Sequence, residues 1–485
     1  MLHIGGVRTA LYDWLLARKT GGQFVLRIED TDQGRYEPAA EQSIVDSLKW
    51  LGLDWDEGPD IGGPHAPYTQ SQRLELYHEE VKKLLASGAA YEDDTTPEEL
   101  EELRARQKAA GTPPGYDNRG RYKTAEQIEA SRAKGLPIVV RMKVPDSGTL
   151  KFNDVVRGEV EFDFSLLQDF IIMKSDGFPT YHLAHVVDDH EMGITHVIRG
   201  EEWIPSTPRH ILIHQALGWD YPTYVHVPLI LGSDRSKLSK RHGAASALEY
   251  RDQGYLPEAV FNFLALLGWS PGDDKEVMSR DEIVQLFSAE RILQHPAIFD
   301  SEKLLWLNGV HIRNLAVDDL LERVLPVLER PAVDGGLPDN VARPLERDYV
   351  RKLLPLVHER LKTLTEATEA LSFFFTDDVH PDPEAIPGRK SDPAAATKYL
   401  ENSLELLKVV EPFEPEHLEA EFRSLAESLD VKPGPLFTPI RVAVTGSSMA
   451  PPLFDTISAI GRERVVARIE EALRLLARYT QTTSA

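Results

Sequence analysis

The sequence predicts an α/β fold on a parallel sheet, interrupted by an α+β module and followed by a long helical region. Three observations carry this. β-rich runs alternate with helical periodicity near the N-terminus, and a β-rich run returns at 195–199. Between them lie a helix-start signature and two further strand-like runs. Beyond about residue 243 the apolar spacing is helical.

Residues 7–18 read as a helix, because Val7, Leu11, Trp14, Leu15 and Arg18 share helical spacing and Gly21 and Gly22 stop it. The run 23–28 follows as a strand, and Ile44, Val45, Leu48 and Leu51 mark the next helix. Thr96, Pro97 and Glu99 supply an N-cap, a proline at the first helical position and an acid at the third. Runs 138–144 and 169–174 read as strands of the inserted module. Helices are expected at 257–267, 302–313, 317–329, 348–373, 396–408, 416–429 and 460–478, with Pro-, Gly- and acid-rich breaks at 331–343 and 376–393.

The 485 residues imply several domains, roughly three. No apolar run approaches the roughly 18 residues of a membrane span, and no secretory signal opens the chain. The absence of cysteine excludes disulfides, thiolate nucleophiles and Cys-based metal sites, and fits a cytoplasmic location. A net charge of −24 argues against a nucleic-acid partner only if read globally, since a local basic face is enough to bind one.

Two motifs point to phosphate chemistry. Lys237 and Lys240, in Lys-Leu-Ser-Lys-Arg, lie three apart between Gly232 and Gly243 and can face one ligand. Lysine is a mobile point charge suited to phosphate, and one placed on a departing pyrophosphate stabilises the transition state. Alone, the motif also describes a solvated basic loop. His3 with Gly5 and Gly6 sits just before a helix, where glycines admit a phosphate and free amides favour an anion. Alone, it also describes an incidental histidine at a frayed terminus.

Further stretches accompany them in order: Leu-Arg-Ile-Glu-Asp-Thr-Asp at 26–32, Leu-Lys-Trp-Leu-Gly-Leu at 48–53, Ser-Asp-Gly-Phe-Pro-Thr-Tyr-His-Leu-Ala at 175–184, Val-Val-Asp-Asp-His at 186–190 and Val-Ile-Arg-Gly-Glu-Glu-Trp at 197–203. Together with the two phosphate motifs, which are similar to the H-I-G-H and K-M-S-K-S signatures of class I aminoacyl-tRNA synthetases, this set resembles the bacterial glutamyl-tRNA synthetases. The resemblance runs into the C-terminal helical region and is strongest before residue 245.

The resemblance implies a Rossmann-like catalytic domain (1–74 and 175–225), an acceptor-binding α+β insertion (75–174), a stem-contact domain (226–313) and an all-helical anticodon-binding region (314–485). It implies joining of L-glutamate to ATP, with Mg2+, as glutamyl-adenylate, then transfer to tRNA-Glu, by a monomer. His3, Lys237 and Lys240 take catalytic roles, and His3, Gly5, Gly6, Glu202, Lys237, Ser239 and Lys240 bind ATP. Glu29 holds the substrate's α-ammonium and Arg199 a carboxylate, while Tyr181, His185 and Trp203 line the pocket. Such pairings are chemically apt: a carboxylate for an ammonium, an arginine fork for a carboxylate. The structural alternatives are a surface acid for Glu29, an ion pair of Arg199 with Glu201 or Glu202, and plain core for the aromatics. Arg119, Arg121 and Lys123, with Tyr122 among them, suit the tRNA acceptor end; the alternative is a solvated turn. Arg360 matches an anticodon-reading arginine, which would favour tRNA-Glu over tRNA-Gln.

The chain departs from the family in several places. The segment preceding the His motif, with its strand and a further substrate arginine, has no counterpart, and the expectation is an upstream start or a trimmed chain. His185 stands where relatives often carry Asn, which predicts a pH-sensitive contact. Where some relatives bind zinc through cysteines, this chain has 91–95 and 116–121 without them, so no zinc is expected. Three rivals remain: a glutaminyl-tRNA synthetase, which the helical pattern after 300 disfavours; a tRNA-modifying relative, which would lack the anticodon region; and an inactive tRNA-binding protein, which would not need Lys237, Lys240, Glu29 and Arg199.

Overall fold

A computed structural model describes residues 4–34, 37–236, 238, 246–377, 379–389 and 391–483. The chain forms two compact units, Met1–Glu249 with Val260–Ser301 and Tyr250–Ala259 with Glu302–Ala485.

In the first unit, helix α1 (Ile4–Thr20) buries Val7, Leu11 and Leu15 completely, the stripe its periodicity predicts. Gly21, at φ +70°, ends it. Helices α2 (Pro38–Trp50) and α3 (Leu74–Ala86) follow. The expected strand at 23–28 forms no ladder. Val25 bridges Glu57 and Ile28 bridges Thr69, both parallel, so the run splits its pairing between two separate segments. Helix α4 (Pro97–Ala109) opens on the expected capping box of Thr96 and Glu99, and α5 (Ala125–Ala133) on a second one of Thr124 and Gln127.

The strands are β1 (Ala90–Asp93), β2 (Val139–Met142), β3 (Thr149–Asp154), β4 (Gly158–Asp163), β5 (Phe170–Met173), β6 (His196–Gly200), β7 (Thr223–Val227), β8 (Ile230–Leu231) and β9 (Ala297–Ile298). Antiparallel β1-β2-β5 form one sheet. A second sheet has the order β4-β3-β7-β6, in which β3–β7 and β6–β7 are parallel and β3–β4 is an antiparallel hairpin. This sheet is mixed, and its hairpin comes from within 75–174.

Helices α6 (Tyr181–Glu191) and α7 (Thr207–Leu217) supply Leu183, Val186, Val187, Ile211 and Ile213 to the core around this sheet. Thr180, just before α6, gives its hydroxyl to the Ile171 carbonyl at 2.9 Å, which ties the helix start to β5. Strand β7 is buried from Tyr224 to Val227, as a strand paired on both sides should be. In β3 the inward row is Leu150, Phe152 and Asp154. The last of these is a carboxylate where the alternation calls for an apolar group.

The second unit is helical. Its core joins Leu320, Val324, Leu353, Leu371, Leu400, Phe422, Ile440, Ile457 and Ile469. The expected helix at 348–373 is two, Arg347–Val357 and Glu366–Phe375. The chain between them is claimed by other partners: Lys362 O accepts from Asn308 at 2.5 Å, and Leu364 N donates to Gly254 O at 2.8 Å. Helices Pro433–Thr445 and Leu453–Ile460 were not expected. Prolines 433, 435 and 439 mask the first of them, although a proline at the first helical position is no obstacle.

Candidate active site

The site lies at the carboxyl ends of three neighbouring strands, where open α/β sheets bind ligands. Asp154 closes β3, Arg199 is next to last in β6, and Arg199 and His226 are register partners across the parallel β6–β7 pair. Arg199 is 7 % exposed. Its Nε donates to His226 Nε2 at 3.1 Å, Nη1 lies 3.2 Å from His210 Nδ1, and Nη2 donates to Thr207 Oγ1 at 2.8 Å. The alternative of an ion pair with Glu201 is not what the fold builds, because Glu201 is held by Arg157 and by the Leu229 amide.

His226 in turn lies 2.6 Å from Asp154 through Nδ1. Burial works to raise the Asp154 pKa, but hydrogen bonds from His226 and the Arg157 and Val156 amides hold it below the usual range. Burial lowers the His226 pKa despite that carboxylate. The pair is therefore an ionised Asp154 and a neutral His226.

Tyr181, at the start of α6, stacks on His185 (ring centroids 5.2 Å apart) and packs against Trp203 (5.0 Å). Burial first, then the charge of Glu29, lifts the Tyr181 hydroxyl to about 12 against the opposing charge of Arg199. His185 does not titrate near neutrality, contrary to the sequence expectation. Burial, more than any neighbouring charge, pushes it down to about 3, so it remains a neutral imidazole.

Glu29 is about one third exposed and accepts from Arg27 Nη2 at 2.8 Å. Arg27 also holds Asp189 at 2.9 Å and approaches Asp188 at 3.8 Å. Asp188 takes Arg73 Nε at 2.7 Å, Tyr77 OH at 2.8 Å and Gln70 at 2.9 Å. Arginines and carboxylates thus alternate from Arg73 to Glu29. The ladder leaves Glu29, its outermost acid, partly open.

Two cavities adjoin these groups. One, of about 620 Å³, is lined by Arg27, Glu29, His185, Asp189 and Ile198. The other, of about 670 Å³, is lined by Gly5, Gly6, Arg199, Glu202, Trp203 and Leu238. Both include Gly6, Ala10 and Asp13 of α1. Arg199 and Trp203 open into the second cavity, while Glu29 and His185 face the first; the Tyr181 ring links the two groups. Of the other expected residues, His3, Lys237, Ser239 and Lys240 lie outside the described residues.

The expected tRNA contacts are paired within the protein. Arg121 binds Asp169 and Asp146, Lys123 binds Asp94, and Arg119 binds Asp117, while Tyr122 is 81 % exposed. Arg360 donates to the Ala450 carbonyl at 2.7 Å. Segments 91–95 and 116–121 are held by ion pairs and rings: Arg141 binds buried Asp93 at 2.6 Å and covers the Tyr116 ring at 3.7 Å. Among the described residues no cluster of three or more His, Cys, Asp or Glu could hold a metal. No helix among them is long and apolar enough to cross a membrane.

Residues 1–306 match the family described as tRNA synthetases class I (E and Q), catalytic domain, and 319–473 match an anticodon binding domain. The glutamate–tRNA ligase of Roseiflexus castenholzii is 48 % identical over 483 residues, covering 98 % of this chain and 94 % of its own. The chain belongs to the glutamate–tRNA ligase family. A family member from Dehalococcoides mccartyi is 46 % identical over 98 % of this chain and 95 % of its own. Among solved structures, the glutamate tRNA ligase from Elizabethkingia meningosepticum, in complex with its amino acid, has a TM-score of 0.88 at 35 % identity, covering 98 % of this chain and 97 % of that one.

The sequence reading missed Asp154, His226, His210, Thr207 and Arg27. A signal for three of them was present. Asp154 breaks the inward row of β3, and His226 lies inside the otherwise apolar and aromatic run of β7. Arg27 interrupts the apolar run 24–28 in the same way, whereas Thr207 and His210 carry no such mark.

Proposed function

We propose that this chain, similar to proteins named glutamate–tRNA ligases, joins L-glutamate to tRNA-Glu, that it does so through glutamyl-adenylate, and that Arg199 and Glu29 hold the amino acid. A glutamate carboxylate oxygen attacks the α-phosphorus of Mg2+-bound ATP and pyrophosphate leaves. A terminal ribose hydroxyl of the tRNA then attacks the activated carbonyl and AMP leaves. Arg199 carries this reading: a buried guanidinium at the strand ends whose hydrogen bonds run to uncharged acceptors. It keeps its charge for an incoming carboxylate. Glu29 faces the α-ammonium, with Tyr181, His185 and Trp203 as the walls.

The second cavity has room for ATP beside Gly5, Gly6 and Glu202, with Arg199 and Trp203 on its glutamate side. Gly5 and Gly6 at the start of α1 leave room for phosphates beside the first helical turn, and Glu202 meets the adenosine. His3, Lys237, Ser239 and Lys240 keep the phosphate-handling roles of their motifs. For tRNA, exposed Tyr122, between Arg121 and Lys123, offers a stacking face to the acceptor end, with Arg119 beside it, and Arg360 reads the anticodon.

ATP–pyrophosphate exchange with tRNA-Glu present tests the reading. Glutamate should support exchange and glutamine should not, and Arg199→Ala should cut exchange by about a hundredfold or more, the scale of a lost charge-pairing contact. Binding of tRNA-Glu with no exchange under any condition would overturn it in favour of a tRNA-binding protein.

A further inference from the structure

Three uncharged acceptors from two elements meet the one guanidinium of Arg199: His226 on β7, and Thr207 and His210 on α7. We propose that His226, locked by Asp154, is a positioning residue that aims Arg199 at the carboxylate of glutamate, with Thr207 and His210 completing its cradle. The inference rests on the reading of Arg199 as the carboxylate binder.

Hydrogen-bond directions fix the arrangement. The ionised Asp154 only accepts, so the proton of His226 must be on Nδ1, 2.6 Å away. The His226 backbone amide donates to the same oxygen at 3.1 Å, which leaves the ring little freedom to turn. Nε2 is then a bare lone pair, and Arg199 Nε, which only donates, meets it at 3.1 Å. The same logic extends along α7. His210 accepts from Arg199 Nη1 on Nδ1, so its Nε2 carries a proton, which it gives to His182 Nδ1 at 3.0 Å. Nη2 ends on Thr207.

The chemistry of the acceptors is the point. A carboxylate in direct contact would orient Arg199 but would also neutralise it. An imidazole orients it and leaves its charge for the substrate. Asp154 sits one ring further away, on the far nitrogen of His226, and so does not occupy the guanidinium fork. The register pairing of Arg199 with His226 places donor and acceptor on adjacent strands of one sheet, so the aim is set by the backbone before substrate arrives. The other charged or aromatic groups facing His226 are Arg157 and the Tyr224 ring, stacked at 6.0 Å.

The test is glutamate affinity, read by titration calorimetry of the full chain with tRNA-Glu present, in a double-mutant cycle. His226→Ala should weaken glutamate binding about tenfold, the scale of one hydrogen bond to a charged group, and leave the affinity for ATP unchanged. His226→Gln, which places an amide oxygen near the Nε2 position, should restore most of the loss. In an Arg199→Ala background, His226→Ala should add nothing, because a residue acting through Arg199 has nothing left to aim. Additive losses in the double variant, or equal losses for glutamate and ATP, would overturn the proposal. If His226→Ala does not fold, the near-isosteric Thr207→Val takes its place in the cycle with the same two outcomes. If Arg199→Ala alone leaves glutamate affinity intact, it is the reading of Arg199 that fails.

Discussion

Replacing Asp188 with asparagine should destabilise the first unit far more than its modest change in shape implies. Asp188 has no exposed surface and accepts from Arg73, Gln70 and Tyr77 at 2.7, 2.9 and 2.8 Å, with Arg27 at 3.8 Å. Three charge-assisted bonds at about 1.5–3 kcal/mol each set a ceiling of about 4.5–9 kcal/mol. Asparagine keeps one acceptor oxygen, so some of these bonds survive. What it cannot keep is the charge that balances Arg73 and Arg27, and it turns an amide donor toward other donors. The expected cost is that of breaking a buried ion pair, about 3–5 kcal/mol. The control is Asp146→Asn, whose side chain is 86 % exposed and whose pair with Arg121 should contribute about 1 kcal/mol at most. Amide hydrogen exchange over α3 and α6 is the suitable assay, because a chain of two units need not unfold in one step. Exchange protection in α6 equal to that of the control would refute the claim that this acid anchors the helix.

Three other outcomes follow from the same structure. Burial lowers His182 and His214 to about 4 and His185 to about 3, so the folded chain resists protons that the unfolded chain accepts below pH 6.5. Stability should be fully present above that pH and fall progressively toward about pH 4; a flat unfolding midpoint across that window would contradict this. A methyl group at Gly336 would sit 1.9 Å from the Arg330 carbonyl oxygen, so Gly336→Ala should cost the second unit about 1–3 kcal/mol by chemical denaturation, and an unchanged midpoint would count against the packing described. Because ion pairs join 91–95 to the rest of the insertion, treatment with a chelator should leave its thermal midpoint unchanged, and a drop of several degrees would expose a metal.

What the sequence disclosed divides along physical lines. Elements with strong local signals were legible. The Thr96 capping box depends on four consecutive residues, and the stripe of α1 on spacing alone. Glu29, Tyr181, Arg199 and Glu202 stood out through their motifs. Elements that depend on distant partners were not legible. Nothing near 23–28 shows that its pairing is shared between Glu57 and Thr69, and nothing near 358–365 shows that Asn308 and Gly254 compete for its backbone. The cradle of Arg199 was hidden for the same reason. His226 lies 27 residues from Arg199, and Asp154 lies 72 from His226. Only the strand order brings them together. Histidine and aspartate within apolar strands were the available clue, and single-residue anomalies of that kind do not name their partners.

Helix α6 has a practical consequence for anyone seeking to change the amino acid this chain accepts. Its eleven residues carry Tyr181 and His185 on the side of the proposed glutamate pocket, and one turn later Asp188 and Asp189 toward the arginines behind. Wall and foundation are the same rigid rod. A library that varies positions 181 and 185 to admit a smaller or uncharged side chain will also tilt the rod against Arg73 and Arg27. Variants with new selectivity should therefore emerge thermolabile, and the compensating substitutions should be sought on α3, outside the pocket.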